Sequence, residues 1–201
     1  MAGKEPRSGR RLNLYYIQDT MRKIILNLAL SLDGYIEGPN GEYDWCFADQ
    51  DYGMTEFLGS TDAIFLGRKS YEMLMSASPE VFAALKMYVF SNTLKQVEGN
   101  AEIITEADFK TRIEEIRHQP GANIWLFGGA ELVSAFIAHN MINEMLISVH
   151  PVILGAGKPL FINIKERTEL TLIGSEQFSS GLVQLKYTLK PKFDMNMLNS
   201  L

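Results

Sequence analysis

The segment from Ile124 to Ala138 constrains the fold more than any other part of this 201-residue chain. It opens with a short apolar run of strand-forming residues, Ile124 to Phe127, and two glycines follow at once. From Ala130 onward the apolar residues recur at helical spacing, which predicts that a helix starts directly after the glycines. Such a junction directs unpaired backbone N–H groups and the positive helix end at an anion. The alternative is a strand–helix turn whose glycines only permit close packing.

A second junction of this kind is predicted in the stretch TDAIFLGRKSYE, from Thr61 to Glu72. Its apolar run predicts a buried strand, Gly67 forms the turn, and Arg68 and Lys69 stand at the predicted helix start. Two cations at that end are unfavourable against the helix dipole, and an anion bound between them would remove the conflict. The alternative is a pair of solvated basic residues, at a cost of at most about 1 kcal/mol.

The rest of the hydrophobic pattern predicts alternating strands and helices, and therefore an α/β protein. A terminal hairpin is predicted because apolar and polar residues alternate in its second arm. The predicted strands cover 23–30, 63–66, 87–90, 103–104, 124–127, 143–154 (interrupted by Pro151), 170–178 and 181–189, and the further predicted helices cover 51–58 and 107–118.

Length and a hydrophobic content of 46% fit one domain with a sizeable core. The single cysteine, Cys46, excludes an internal disulfide and fits a reducing cytoplasm. Three scattered histidines and one cysteine argue against a metal centre, and no apolar run is long enough to span a bilayer. The net charge is −5, with 22 acidic against 13 basic residues after residue 23, which disfavours general nucleic-acid binding.

The predicted domain spans residues 22–191. Residues 1–21 lack the periodicity of a packed element and are predicted to be a disordered extension, and residues 192–201 are predicted to be a tail. Within the domain, residues 29–45 form a candidate flap over a ligand. Its Asp33 either accepts turn hydrogen bonds, as Asp before Gly often does, or lies near a substrate.

Two further residues are candidates for chemistry. Lys158, in the glycine-rich loop 155–159, could meet a substrate anion, but an exposed loop lysine is the simpler interpretation. His150 is interpreted as a strand residue and not as a catalyst, because the sequence supplies no evident partner for it.

The order of these pieces resembles the dihydrofolate reductase-like family. The matching stretches are SLDGYI, DAIFLGRKSYE, VFSNT, IWLFGGAEL and ISVHPVILGAGKPLF, and the likeness covers about residues 22–190. It is strongest to the bacterial branch related to the reductase (C-terminal) domain of riboflavin biosynthesis. The resemblance implies a three-layer fold with a mostly parallel central sheet and an antiparallel C-terminal hairpin.

The resemblance also implies that NADPH lies across the strand ends and that a small molecule is reduced there. No GxGxxG motif occurs, so the cofactor assignment does not depend on a Rossmann turn. The implied cofactor-binding residues are Ala29, Gly34, Ile36, Gly67, Arg68, Lys69, Ser70, Ser91, Asn92, Thr93, Phe127, Gly128, Gly129, Ala130 and Glu131.

The substrate side departs from the family. Dihydrofolate reductases carry a proton-donating carboxylate on the helix after the flap, and none of the carboxylates near Asp51 matches that motif cleanly. Asp33 and Asp51 are the candidate catalytic residues. The first candidate substrate is 5-amino-6-(5-phosphoribosylamino)uracil, and the alternative to an enzyme is a non-catalytic NADP-binding protein or sensor. The resemblance further implies a homodimer, joined through the C-terminal half.

Overall fold

The computed structural model describes residues 21–77 and 79–190. These ranges contain ten strands, four helices and two short 3-10 turns, the turns at Pro79–Phe82 and Glu106–Asp108. The strands are β1 Ile24–Ser31, β2 Tyr35–Glu37, β3 Thr61–Gly67, β4 Lys86–Phe90, β5 Glu102–Ile104, β6 Asn123–Gly128, β7 Glu144–His150, β8 Lys158–Pro159, β9 Leu170–Gln177 and β10 Val183–Leu189, and the helices are α1 Met54–Gly59, α2 Arg68–Ala77, α3 Phe109–His118 and α4 Ala130–Ala138.

Eight strands form one sheet in the order β5-β4-β3-β6-β1-β7-β10-β9. The first six strands in this order, from β5 to β7, are parallel to one another. The last two, β10 and β9, are each antiparallel to their neighbours. Strands β2 and β8 form a separate two-stranded antiparallel sheet. The predicted α/β fold with a mostly parallel sheet and an antiparallel C-terminal hairpin is therefore confirmed.

The central strands are apolar on both faces because helices cover both sides of the sheet. Along β3, Phe65 packs into the cluster that contains α3 and α4, whereas Ile64 and Leu66 pack into the cluster that contains α1 and α2. Phe65 and Phe136 of α4 are completely buried, and their ring centroids lie 5.5 Å apart. The two clusters make the fold a three-layer structure.

Most elements begin or end one to three residues away from their predicted bounds, and two differences from the predictions have a clear physical cause. Strand β7 ends at His150, one residue before Pro151, because proline lacks the N–H group that a ladder needs. The pairing of β2 with β8 was not predicted, since it joins residues more than 120 positions apart. Residues 1–20 of the predicted extension and the predicted tail, 192–201, lie outside the described residues.

The parallel strands place the carboxyl ends of β1, β3, β4, β6 and β7 at one edge of the sheet. In open α/β sheets this edge is where ligands bind. No helix in the described ranges, 21–77 and 79–190, is long and apolar enough to cross a membrane.

Candidate functional site

A cleft of about 570 Å³ lies at the carboxyl edge of the sheet, over the ends of β3, β4 and β6. Loop and helix-start residues from three separate parts of the sequence form most of its wall, and Lys158 of β8 closes one side. The predicted cofactor-binding residues that line it are Gly67, Arg68, Lys69, Ser70, Ser91, Asn92, Thr93, Gly129, Ala130 and Glu131.

The remaining predicted cofactor residues lie beside this cleft and are not among its lining residues. Phe127 and Gly128 are the last residues of β6, directly below the glycine turn. Ala29 lies in β1, Gly34 follows that strand and Ile36 lies in β2. Because β1 is the neighbour of β6 in the sheet, this second group continues the same edge toward β7.

The ends of β3 and β6 approach each other closely at the glycines. A Cβ atom at Gly67 would contact the carbonyl oxygen of Gly128 at 3.6 Å and the nitrogen of Gly129 at 3.7 Å. Gly128 has a φ of +110°, which favours glycine, whereas Gly129 has an ordinary φ of −66°. Helix α4 begins at Ala130, so its first backbone N–H groups point out of the helix at this turn.

Space remains above Gly129 between two polar side chains. A Cβ atom built there would lie 3.7 Å from Nζ of Lys158 and 3.9 Å from Oγ of Ser70. A cation, a hydroxyl and a helix start thus surround a position that carries no side chain. This combination suits an anionic group.

Arg68 has a partner that the sequence prediction did not include. Its Nη1 donates to both carboxylate oxygens of Glu72, at 2.9 and 3.0 Å, one helical turn further along α2. The pair is exposed to solvent, with side-chain exposures of 40% and 48%. Glu72 therefore relieves part of the conflict between the cations and the helix dipole, and the predicted anion is not the only way to relieve it.

The polar turn after β4 is internally hydrogen bonded. Oγ of Ser91 accepts from the backbone N–H groups of Thr93 and Leu94, at 3.1 and 3.0 Å. The side chain of Asn92 donates to the carboxylate of Glu106 and accepts from the backbone N–H of the same residue. These bonds hold the turn in place at the wall of the cleft, which Ser91, Asn92 and Thr93 line.

Lys158 reaches the cleft because β8 crosses β2. Glu37 and Lys158 are paired residues in this small sheet, and the backbone N–H of Leu160 donates to the carbonyl of Gly34 at 3.0 Å. The simpler interpretation of Lys158 as an exposed loop residue does not describe this position, since the side chain is 32% exposed and lines the cleft. Because β2 and β8 are far apart in the sequence, no pattern in the residues around Lys158 predicts that they pair.

Asp33 ties the first loop to the segment after β7. Its carboxylate accepts from the Ser31 hydroxyl at 2.7 Å and from the backbone N–H groups of Leu154 and Gly155, at 3.2 and 2.8 Å. The hydrogen bond from Ser31 is the main reason that the pKa of Asp33 lies below its ordinary value. Of the two interpretations of Asp33, these contacts favour a loop-bracing role, and its catalytic role stays a prediction.

Asp51 is engaged in a similar way at the start of α1. One carboxylate oxygen accepts from the hydroxyl and the backbone N–H of Thr55, at 2.6 and 2.9 Å. The hydroxyl bond is the main reason that the pKa of Asp51 lies below its ordinary value. A proton donor at neutral pH needs a raised pKa, so neither this residue nor Asp33 is prepared for that role in the present arrangement.

A cluster of rings covers the carboxyl end of β7. His150 is buried, and its ring lies 5.3 Å from that of Trp45 and 5.0 Å from that of Phe47, between centroids. Its Nε2 accepts from the backbone N–H of Phe47 at 3.1 Å, and its Nδ1 donates to the carbonyl of Ser148 at 3.0 Å. Burial lowers the pKa of His150. The hydrogen bond that its Nε2 accepts from Phe47 holds the loop around Phe47 in place.

Tyr52 extends the ring cluster toward the C-terminal hairpin. Its hydroxyl donates to Asp49 at 2.7 Å and is 2.9 Å from Oγ of Ser180, and its ring packs against Phe178. The loop from residue 45 to residue 52 is thereby fastened to both β7 and the β9–β10 turn. The sheet edge has two parts: a polar cleft over β3, β4 and β6, and an aromatic part over β7.

The sequence comparisons agree with this architecture. The family profile described as "RibD C-terminal domain" matches residues 22–184, and the chain belongs to this family of reductases with a dihydrofolate reductase-like fold. The protein YyaP of Bacillus subtilis (strain 168) is 41% identical over 178 residues, which cover 83% of this chain and 94% of that protein.

Two solved structures illustrate the shared fold. A protein from Shewanella sp. PV-4, provisionally named a riboflavin biosynthesis protein, superposes with a TM-score of 0.73 at 26% identity, over 84% of this chain and 99% of that chain. Dihydrofolate reductase from Enterococcus faecalis, complexed with NADP(H) and RAB-propyl, superposes with a TM-score of 0.63 at 12% identity, over 84% of this chain and 97% of that chain. The latter similarity concerns the fold alone.

Proposed function

We propose that the chain is an NADPH-dependent reductase that transfers a hydride to a small heterocyclic or carbonyl or imine substrate. The observation that carries this proposal is the open position above Gly129, bounded by Lys158, Ser70 and the start of α4. Membership of a reductase family supports it, and the NADP(H) complex of the Enterococcus enzyme shows that this fold holds such a cofactor in one relative.

The cleft residues fit the cofactor's charged groups. Gly67 and Gly129 let a diphosphate approach the backbone, and the N–H groups at the start of α4 are donors for it. Arg68, Lys69 and the polar turn at Ser91 line the same cleft, and we assign the 2′-phosphate of the adenosine to them. Bound NADPH supplies the hydride, so the protein's task is to orient it and to exclude water.

The aromatic part of the sheet edge supports a flat substrate. Trp45 and Phe47 pack against His150 at the end of β7, which lies on the far side of β1 from β6 and the polar cleft. Rings stack well on planar heterocycles. Within the proposal, the first candidate is 5-amino-6-(5-phosphoribosylamino)uracil, the substrate type of the riboflavin pathway reductases, followed by a pterin of the dihydrofolate type.

A second candidate is a non-catalytic NADP-binding protein or sensor. It is favoured by one specific observation: Asp33 and Asp51, the two candidate proton donors, both have lowered pKa values and accept hydrogen bonds. Such a protein would keep the cofactor cleft and lack the acid that completes reduction.

An activity assay distinguishes the reductase from the sensor. The purified chain is mixed with NADPH and each member of a panel of pyrimidine and pterin substrates, and oxidation of NADPH is followed by absorbance. Turnover of at least one pyrimidine is the expected result. Tight NADPH binding without turnover of any member would support the sensor, and the absence of NADPH binding would contradict both.

We also propose that the protein is cytoplasmic and forms a homodimer through its C-terminal half. Strand β9 is a sheet edge, and its Leu172 and Ile173 are 52% and 50% exposed, which is unusual for apolar side chains on an uncovered strand. Light scattering at micromolar concentration should give twice the 22.7 kDa mass of one chain. Leu172→Lys should shift the mass toward one chain, and a parent protein of 22.7 kDa would contradict the dimer.

A further inference from the structure

We propose that Lys158 binds the diphosphate of the nicotinamide cofactor and that Glu37, on β2, competes with the cofactor for this lysine. The inference rests on the proposed function and assigns to the cofactor a cation that is not among the cofactor-binding residues implied by the resemblance. It also assigns to Glu37 an opposing role, so that removing a carboxylate strengthens binding.

The backbone delivers Lys158 to the cleft in a defined way. Strand β8 runs antiparallel to β2, and Gly157, just before it, has a φ of +148°. A Cβ atom at Gly157 would overlap the backbone carbonyl of Glu37, so the two segments can cross this closely only at a glycine. The side chain of Lys158 is therefore directed by the chain crossing and not by a flexible loop.

The contact between Lys158 and Glu37 is loose. Nζ of Lys158 lies 3.6 Å from Oε1 of Glu37, longer than a normal charged hydrogen bond, and the side chains are 32% and 39% exposed. Ion pairs of this kind contribute little stability. The same Nζ lies 3.7 Å from the Cβ position at Gly129, which is the open place over the glycine turn. The ammonium group thus stands between a carboxylate on one side and the anion position on the other.

Arg68 does not duplicate this role, because its guanidinium is bound to Glu72, one helical turn further along α2. A diphosphate at the glycine turn would draw Lys158 away from Glu37, since two charged oxygens replace one distant carboxylate. Glu37 would then face the diphosphate without its partner and repel it. Both effects act on the part of the cofactor that NADPH and NADH share.

The test measures dissociation constants of NADPH and NADH for the parent and three single variants, each checked for folding by its melting temperature. Lys158→Gln should weaken binding of both nucleotides by about three- to tenfold, because the lysine is partly exposed. Glu37→Gln should strengthen binding of both by about two- to fivefold. Lys190→Gln is the matched control: it makes the same charge change at an exposed lysine that pairs with Glu169, and it should alter neither constant.

Two further variants make the result decisive. Lys158→Arg keeps the charge and should restore most of the affinity lost in Lys158→Gln. In the double variant of Lys158→Gln and Glu37→Gln the strengthening caused by Glu37→Gln should be smaller than in the parent background, because the part of the effect that acts through Lys158 is lost and only the direct repulsion of the nucleotide remains.

Parent protein that binds neither nucleotide would contradict the proposed function, and the inference would fall with it. Parent binding with an unchanged constant in Lys158→Gln would overturn the inference alone. Weaker binding in Glu37→Gln would also overturn it, since it would mean that the pair merely supports the structure of the cleft.

Discussion

Gly129→Val is expected to weaken NADPH and NADH binding together while the protein remains folded. A Cβ atom built at Gly129 lies 3.7 Å from Nζ of Lys158 and 3.9 Å from Oγ of Ser70, which are ordinary contact distances. The φ of −66° is accessible to any residue, so this backbone position accepts a side chain. The two methyl groups of valine would then occupy the place proposed for the diphosphate. Overpacking of this kind costs about 1–3 kcal/mol, or roughly 5- to 150-fold in the dissociation constant.

Gly129→Ala is the graded control, because a single methyl group fits at ordinary contact distances and should weaken binding only slightly. Circular dichroism and the melting temperature report whether each variant keeps the parent fold. A folded Gly129→Val protein that binds NADPH as well as the parent would remove the glycine turn from the proposed site.

Much of the fold is predictable from the sequence because the central strands are buried on both faces. Continuous apolar runs such as Ile64 to Leu66 and Ile124 to Phe127 need helices on either side, and the glycines at 67 and 128–129 mark where each strand stops. The same glycines mark the carboxyl edge of the sheet. The two cleft walls that they begin were therefore predictable as well.

The parts that sequence reasoning missed depend on contacts between distant residues. Lys158 belongs to the cleft only because β8 pairs with β2, and neither short strand has a periodic signal of its own. His150 has a partner after all, but that partner is the backbone N–H of Phe47, which any residue type except proline could supply. Backbone donors leave no trace in side-chain patterns.

The pairing of Arg68 with Glu72 could have been predicted from the sequence but was not. The spacing of four residues along a helix is a recognised signal for an ion pair, and it was available in the sequence. The prediction concentrated on the conflict between cations and dipole, and it did not consider a carboxylate one turn away. Arg68 must now be shared between Glu72 and any phosphate.

Arg68→Ala should weaken binding of NADPH and leave binding of NADH almost unchanged. The 2′-phosphate distinguishes the two nucleotides, and we assign it to Arg68 and the turn at Ser91, both on the wall of the cleft. A hydrogen bond to a charged partner contributes about 1.5–3 kcal/mol, or about 10- to 100-fold in affinity. Because the guanidinium is exposed and already bound to Glu72, we expect a value near tenfold.

Glu72→Gln is the matched control for this prediction. It removes the helix pair and keeps the guanidinium, so NADPH binding should be unchanged or slightly tighter. If Glu72→Gln weakened NADPH binding as much as Arg68→Ala does, the ion pair would act by holding α2 in place.

The most direct test of the proposed cofactor is a titration of NADPH and NADH against parent and Arg68→Ala protein by fluorescence quenching. We predict that the parent prefers NADPH and that this preference falls about tenfold in the variant, with the NADH constant unaltered. An equal loss of affinity for both nucleotides would mean that Arg68 binds the diphosphate that they share. A parent protein that binds neither nucleotide would contradict the assignment of this cleft to a nicotinamide cofactor.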